Sequence, residues 1–389
     1  MIRIPTNDRM LLEPTYQAAR SVARLLEAHF ALRLTTACKM KHECLAPTPT
    51  APVIEALVDT AFWASLRREE GASPKISIAF LPPEMAQQPL LFEQPLAFTP
   101  AILNKLAPAV ERPGIHLGVS FNGEDLQIWG MTREVPGNCF VLEVVEPGLL
   151  VVKHRRIRGF GKFVNVAVLK GDQVRLIDDK ITDLPEYLTS LTAMAGFRVA
   201  YSGVNAMNVL VDLSVSMRAH GKGGLLLLVP SVNDAWRDSI IHPMTYPIAP
   251  VFSRLSELMN ENREERSLHL WQGDMSQAIE AVGGLTAVDG ATILNDKYEL
   301  MGFGAKIGRS DHSIRVEEVL LTEPVVDGEP RVVHPTQTGG TRHLSAAQFA
   351  FDQRGSVALV ASQDGRFTVF AWSDETRMVH AHRIDSLLI

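Results

Sequence analysis

The run Gly223-Gly224-Leu-Leu-Leu-Leu-Val-Pro constrains the fold of this chain more than any other stretch. It is too short to span a bilayer, and a glycine pair and Pro230 bound it too abruptly for a helix. A strand that is apolar on both faces must be covered on both faces, so it belongs at the centre of a layered sheet. The run from Gly284 (GLTAVDGATIL) reads as a second buried strand, followed by a turn at Asn295-Asp296 and the segment YELMGFGAKI. VALVAS and FTVFAW, joined at Gln363-Asp364-Gly365, read as a strand pair. Helical spacing is expected over 187–219, which His220-Gly221 ends, and over 248–259, 275–282 and 345–352. Helices alternating with buried strands imply an α/β domain over 191–389, a mixed central sheet flanked by helices.

The first part of the chain, 1–190, reads differently, as an α+β domain. A helix is expected over 16–30, capped by Thr15, with Ala19, Val22, Ala23 and Leu26 on one face. A second helix begins near Pro52, with Ile54, Leu57, Val58, Ala61, Phe62 and Leu66 as its apolar stripe. The Pro/Thr segment 46–52 between them has no core-forming capacity. Ile76, Ile78 and Phe80 alternate as in a strand, up to Pro82-Pro83. From 114 to 177, short apolar runs are punctuated by Asn122-Gly123, Pro136-Gly137, Pro147-Gly148 and Gly171-Asp172, the pattern of an antiparallel β-meander. The basic residues Lys153, His154, Arg155, Arg156 and Arg158 read as a solvated strand face.

With 389 residues the chain is long enough for two cores, and its 46% hydrophobic and 21% charged residues are ordinary for a globular protein. A net charge of −6 argues against general duplex binding, so nucleic acid is not an expected partner. No apolar run is long enough for a membrane span, and the start MIRIPTNDRM has no basic-then-apolar leader, which leads us to expect a cytoplasmic protein. Cys38 and Cys44 bracket His42 at a spacing that matches no standard zinc ligand set. All three cysteines are expected to be reduced, with Cys139 in the core. His242, His312, His334 and His380 show no ligand spacing either, and Gly302-Phe303-Gly304 reads as a turn.

Two glycine-bounded clusters carry chemistry. Asp289-Gly290-Ala291 offers a carboxylate able to hold a cation or a sugar hydroxyl, and Gly339-Gly340-Thr341-Arg342-His343 offers a hydroxyl, a guanidinium and an imidazole for phosphate oxygens. Asp-Gly alone is most often a hairpin turn. Within an apolar run, however, a carboxylate is costly unless it has a partner. Cations at a helix start oppose the helix dipole, a penalty that a bound phosphate reverses.

In the order GKGGLLLLVP, VDGATIL, GGTRHLSAAQFA and LVASQDGRFTVF, the segment 198–372 resembles the nucleotide-binding domain of diadenylate cyclases and DNA-integrity scanning proteins. The first half is more loosely similar to the sensor-type domains that some bacterial members carry. The resemblance implies condensation of two ATP into cyclic di-AMP with release of two pyrophosphates. It assigns Asp289, Arg342 and His343 to catalysis. Gly290, Ala291, Gly340, Thr341, Ser362 and Lys306 are expected to bind nucleotide, and Asp289 and Asp364 to hold Mg2+ or Mn2+. One such domain holds one ATP, so a homo-oligomer, at least a dimer, is expected to bring two sites face to face.

Two departures from that family stand out. Its usual Arg-His-Arg is here Arg342-His343-Leu344, with Ser345 added before Ala346. Loss of one guanidinium from a phosphate contact would cost about 1.5–3 kcal/mol, and Lys306 or Arg309 is placed to supply the charge. The stretch 311–338 is longer than the family's connection and carries Glu317, Glu318, Glu323, Asp327 and Glu329. It reads as a surface hairpin, a lid or a dimer-blocking element. A nucleotide receptor without turnover and a dimerising scaffold are the alternatives to an enzyme.

Overall fold

In the computed structural model, residues 14–39, 45–68, 71–156, 163–178, 187–188, 192, 208–261, 268–311 and 313–389 are described. They form two compact units, 1–182 with Ile389, and 183–388. His42, Cys44, Arg158, His312 and most of the helix expected over 187–219 lie outside the described residues.

Among the described residues, the first unit is an eight-stranded sheet with three α-helices. Helices α1 (Gln17–Lys39), α2 (Ala51–Ser65) and α3 (Pro100–Val110) accompany β1 (Ile76–Phe80), β2 (Leu90–Ala97), β3 (His116–Phe121), β4 (Leu126–Thr132), β5 (Phe140–Glu146), β6 (Leu149–Arg155), β7 (Phe163–Lys170) and β8 (Gln173–Leu176). The sheet order is β2-β4-β3-β1-β5-β6-β7-β8. Among the described strands of this sheet, β1 and β3 are the one parallel pair, so β1 splits the expected meander into two antiparallel parts. Alternation decides which side chains meet the helices. Ile76, Ile78, Leu117, Val119, Leu142 and Val152 join the core under the helices, whereas Ala79, Val141, Trp129 and Cys139 build a smaller cluster. The helix stripe at Ile54, Leu57, Val58 and Ala61 is fully buried. β2 and α3 carried no clear pattern in the sequence. β2 is an exposed edge strand, and α3 contains Pro108 within its span.

The basic run on β6 is not a solvated face. Lys153 pairs with Glu143 at 2.6 Å. His154 is fully buried, its imidazole 6.4 Å from the Phe30 ring. Burial, with the nearby positive charge of Arg33, pushes its pKa down to about 3, so it stays neutral. Period-2 alternation puts His154 on the same face as Leu150 and Val152, which belong to the core under the helices, and the irregularity between Val152 and Lys153 falls on β7, where Val166 is the extra residue.

The second unit is a nine-stranded mixed sheet, covered on both faces. Helices α4 (Val209–Ala219), α5 (Arg254–Asn260), α6 (Leu268–Leu285) and α7 (Thr341–Asp352) surround β9 (Gly224–Val229), β10 (Tyr246–Phe252), β11 (Ala291–Asn295), β12 (Leu300–Ala305), β13 (Val319–Thr322), β14 (Arg331–Val333), β15 (Val357–Ala361), β16 (Phe367–Ser373) and β17 (Met378–Arg383). The order β10-β12-β11-β9-β15-β16-β17-β13-β14 puts β9 in the interior, as its leucine run requires. Leu226 and Leu228 meet α4, α5 and α6, and Leu225, Leu227 and Val229 meet the α7 side. Burying each such side chain contributes about 1.5–3 kcal/mol.

Three expectations need correction. The span 248–259 is not one helix: β10 occupies 246–252, and only Arg254–Asn260 is helical. Pro247 and Pro250 favour an edge strand over a helix interior. Gly302-Phe303-Gly304 is part of strand β12 rather than a turn. The second apolar run contains less strand than its hydrophobicity suggests, because α6 continues to Leu285 and β11 starts only at Ala291. Within 311–338, β13 and β14 form an antiparallel hairpin, and β13 docks parallel to β17 at the edge of the sheet.

Candidate nucleotide site

Asp289 owes its position to the way α6 ends. Backbone bonds Thr286 N→Gly283 O, Ala287 N→Gly284 O and Val288 N→Leu285 O unwind the helix through successive turns. Asp289 and Gly290 then bend the chain into β11. The carboxylate is exposed, not embedded in a strand, so its desolvation cost is small. Gly290 has φ +105°, and a Cβ there would come within 2.5 Å of the Gly304 carbonyl carbon. Only glycine serves at this contact, where the bend before β11 meets the end of β12.

Opposite, Thr341, Arg342 and His343 form the first turn of α7. Gly340 is its N-cap, and no side chain caps the helix. An unfilled helix N-terminus favours an anion. The Arg342 guanidinium lies over Gly223 at the start of β9: a Cβ on Gly223 would sit 2.9 Å from Nη1. His220 and Lys222 are close by, and burial together with the charges of Lys222 and Arg342 lowers the His220 pKa.

His343 tucks beneath the helix start, 2% exposed, with its ring edge-on to Phe370 at 6.0 Å. Gly339 makes room, since a Cβ there would overlap the imidazole. Burial pushes the His343 pKa down to about 4; the Arg383 guanidinium and Arg366 push the same way, against Asp364. The ring is therefore neutral near pH 7, and its buried Nε2 has no hydrogen-bond partner.

Between these elements lies a cavity of about 590 Å3, lined by both clusters. Asp289, Gly290, Lys306, Gly340, Thr341, Arg342, His343 and Ser362 all contribute to its wall. Ala291 and Asp364 do not. Ala291 is fully buried at the start of β11. Asp364 belongs to the β15–β16 turn, where Oδ2 pairs with Arg366 Nε at 3.3 Å and Oδ1 accepts from the Arg366 N–H at 3.4 Å. Burial opposes its charge, but bonds from the Ser362 hydroxyl and the Arg366 backbone leave the pKa lowered overall.

Sequence reasoning missed Leu225, Ala305, Ile307, Ser345 and Gln363, which also line the cavity. Helix geometry signals Ser345, three residues after Arg342 and hence on the same face. Leu344, one position off that face, is half-buried and absent from the wall.

Residues 43–133 match the probable sensor domain DACNV. DACNV is the N-terminal sensor domain of diadenylate cyclase-type proteins, and the match supports the sensor-like reading of the first half. The DACNV segment runs from just before α2 to β4 and covers under a quarter of the chain. No cyclase catalytic-domain match accompanies DACNV on the second unit, and no curated protein matches the chain.

For a divalent cation, the cavity wall supplies one carboxylate, Asp289. Among the described residues, no group of three or more His, Cys, Asp or Glu is placed to hold a metal. One carboxylate suits Mg2+ or Mn2+ that shares its coordination with substrate phosphates and water, rather than a metal caged by protein. Among the described residues, no helix is long and apolar enough to cross a membrane.

Proposed function

We propose that the second unit binds ATP in the cavity between Asp289 and the first turn of α7, and that the protein is a metal-assisted diadenylate cyclase. The observation that carries this reading is the shared wall: the Asp289 carboxylate and the Lys306 ammonium line one cavity of about 590 Å3 with the guanidinium, hydroxyl and imidazole of the first turn of α7. That volume falls within the roughly 300–1,000 Å3 of small-molecule sites. The DACNV match in the first unit is independent support, because that domain occurs in diadenylate cyclase-type proteins.

In this reading, Arg342 and Lys306 neutralise the triphosphate, while Thr341 and the uncapped N–H groups of α7 fix its orientation. The neutral His343 offers hydrogen bonding rather than charge. Asp289 orients the ribose 3′-hydroxyl and takes its proton as the oxygen attacks the α-phosphorus of the second ATP. The bond to the bridging oxygen breaks, and pyrophosphate leaves with the electron pair. A loose transition state of this kind needs placement and positive charge more than covalent participation. A divalent cation held by Asp289 and phosphate oxygens would supply further charge neutralisation.

Asp289, Lys306, Gly340, Thr341 and Gln363 are exposed, so the cavity opens on the surface. An open cavity with one set of phosphate ligands suits one ATP, and the reaction requires a second copy facing the first. The test is purified protein with ATP and Mn2+ or Mg2+, with product detected by mass spectrometry. Cyclic di-AMP is expected, with turnover per chain rising with protein concentration. Tight ATP binding without product, across both metals and all concentrations, would replace the enzyme with an adenine-nucleotide receptor. Leu344 stands where the resembled family carries a second arginine, and because it lies off the wall around the bound nucleotide, its effect would be on turnover and not on ATP binding, which is the feature that favours that second reading.

A further inference from the structure

The α7 face of the sheet carries a polar seam that the reaction above does not use. Phe370 on β16 is in register with Ala381 on β17, and its ring meets His343 edge-on. The next rung on that face pairs Thr368 with Arg383. Thr368 is fully buried and its Oγ1 has no partner, as is true of Arg383 Nε and His343 Nε2. Three orphaned polar atoms on elements packed together beneath one helix turn are unusual, since buried polar groups are nearly always paired. Arg383 has one strong tie: Nη1 contacts Glu323 Oε1 at 2.6 Å, with the side chains 12% and 17% exposed. Glu323 directly follows β13, the strand of the 311–338 stretch that docks beside β17.

We propose that the Glu323–Arg383 ion pair is a positioning element that fixes the His343 imidazole at the cavity wall, so that the β13–β14 hairpin supports the nucleotide site from behind. The inference rests on the functional reading of that cavity and names a role for the hairpin within it. Glu323 holds the guanidinium in place, and the guanidinium discourages a second positive charge on the ring beneath α7. Arg366 on the β15–β16 turn acts in the same direction, and Asp364 on that turn opposes both. Arg342, on the helix itself, lies at the Gly223 side of the cavity. A neutral ring keeps one N–H and one lone pair; a protonated ring would lose the acceptor.

The test replaces the pair by neutral amides in Glu323→Gln/Arg383→Gln, which avoids stranding a buried charge. Arg383→Lys keeps the charge. Proton NMR of histidine-labelled full-length protein follows each ring with pH, and His343→Gln identifies the resonance. In the double variant, the His343 midpoint is expected to rise by at least about one pH unit, a tenfold gain in proton affinity. In Arg383→Lys it should stay near the wild-type position, and the acid limb of product formation should move with the midpoint. An unchanged midpoint in a folded double variant overturns the proposal, and so does a midpoint that rises equally in Arg383→Lys. Movement of the midpoint as expected, in a protein that neither binds ATP nor forms product, would uphold the positioning role and remove the cyclase reading instead.

Discussion

Asp289 and His343 illustrate how burial sorts two site residues into different duties. The carboxylate is exposed and stands at a bend, so removing its charge leaves no buried group unpaired. Asp289→Asn is expected to lower product formation by at least about 100-fold, the lower end for loss of a general base, while changing unfolding free energy by less than about 0.5 kcal/mol. Coupled product assays and denaturant titration check both halves of that statement. Because His343 is neutral, positive charge on the phosphates must come mainly from Arg342 and Lys306. Arg342→Ala should therefore weaken ATP binding by roughly 10–150-fold, the equivalent of about 1.5–3 kcal/mol, measured by calorimetry. The residue types at 289 and 341–343 were legible in the sequence as a charge-complementary set. The exposure of Asp289 was not, because the apolar letters around it (LTAV before, ATIL after) look like one strand and instead divide between a helix end and a strand start.

At the level of elements, the phase of α7 decides what a missing arginine means. Arg342 and Ser345 face the cavity, and Leu344 does not. Leu344→Arg is therefore expected to change ATP affinity by less than about threefold, within the few tenths of a kcal/mol typical of peripheral surface changes. A gain of tenfold or more by calorimetry would show that the side chain reaches the phosphates. Elements with strong periodicity were readable: the α2 stripe, the leucine run of β9, and the β15–β16 pair. Those with mixed signals were not. β10 carries apolar residues at spacings that also suit a helix, and its prolines are compatible with an edge strand. β2 and α3 lacked contrast, and the hairpin role of 311–338 depends on β17, whose residues lie about sixty positions beyond their β13 partners, where local pattern says nothing.

For the whole molecule, acid should be destabilising, and the histidines give the reason. His154 and His382 are pushed down to about 3, and His343 to about 4, each chiefly by burial. Between those values and the ordinary 6.5, the unfolded chain binds protons that the folded chain refuses. Stability therefore falls as pH drops below about 6.5 and continues to fall down to the folded values. Asp212, raised to about 6 by burial, works oppositely: its folded form holds a proton sooner and gains stability as pH falls toward 3.8. In the second unit two histidines outweigh one aspartate, so the urea midpoint should decrease between pH 6.5 and pH 4; a flat or rising midpoint would contradict this balance. The glycine pair at 290 and 304 bears on the assembly as well. Backbone there meets backbone with no side chain between, which leaves no slack for the bend bearing Asp289 to travel relative to the strand that leads into Lys306. The gap between the Asp289 carboxylate and the Lys306 ammonium is thus set during folding, like the span of a fixed wrench. Tightening around a nucleotide has to be done by α7, or by whatever surface arrives across the open mouth.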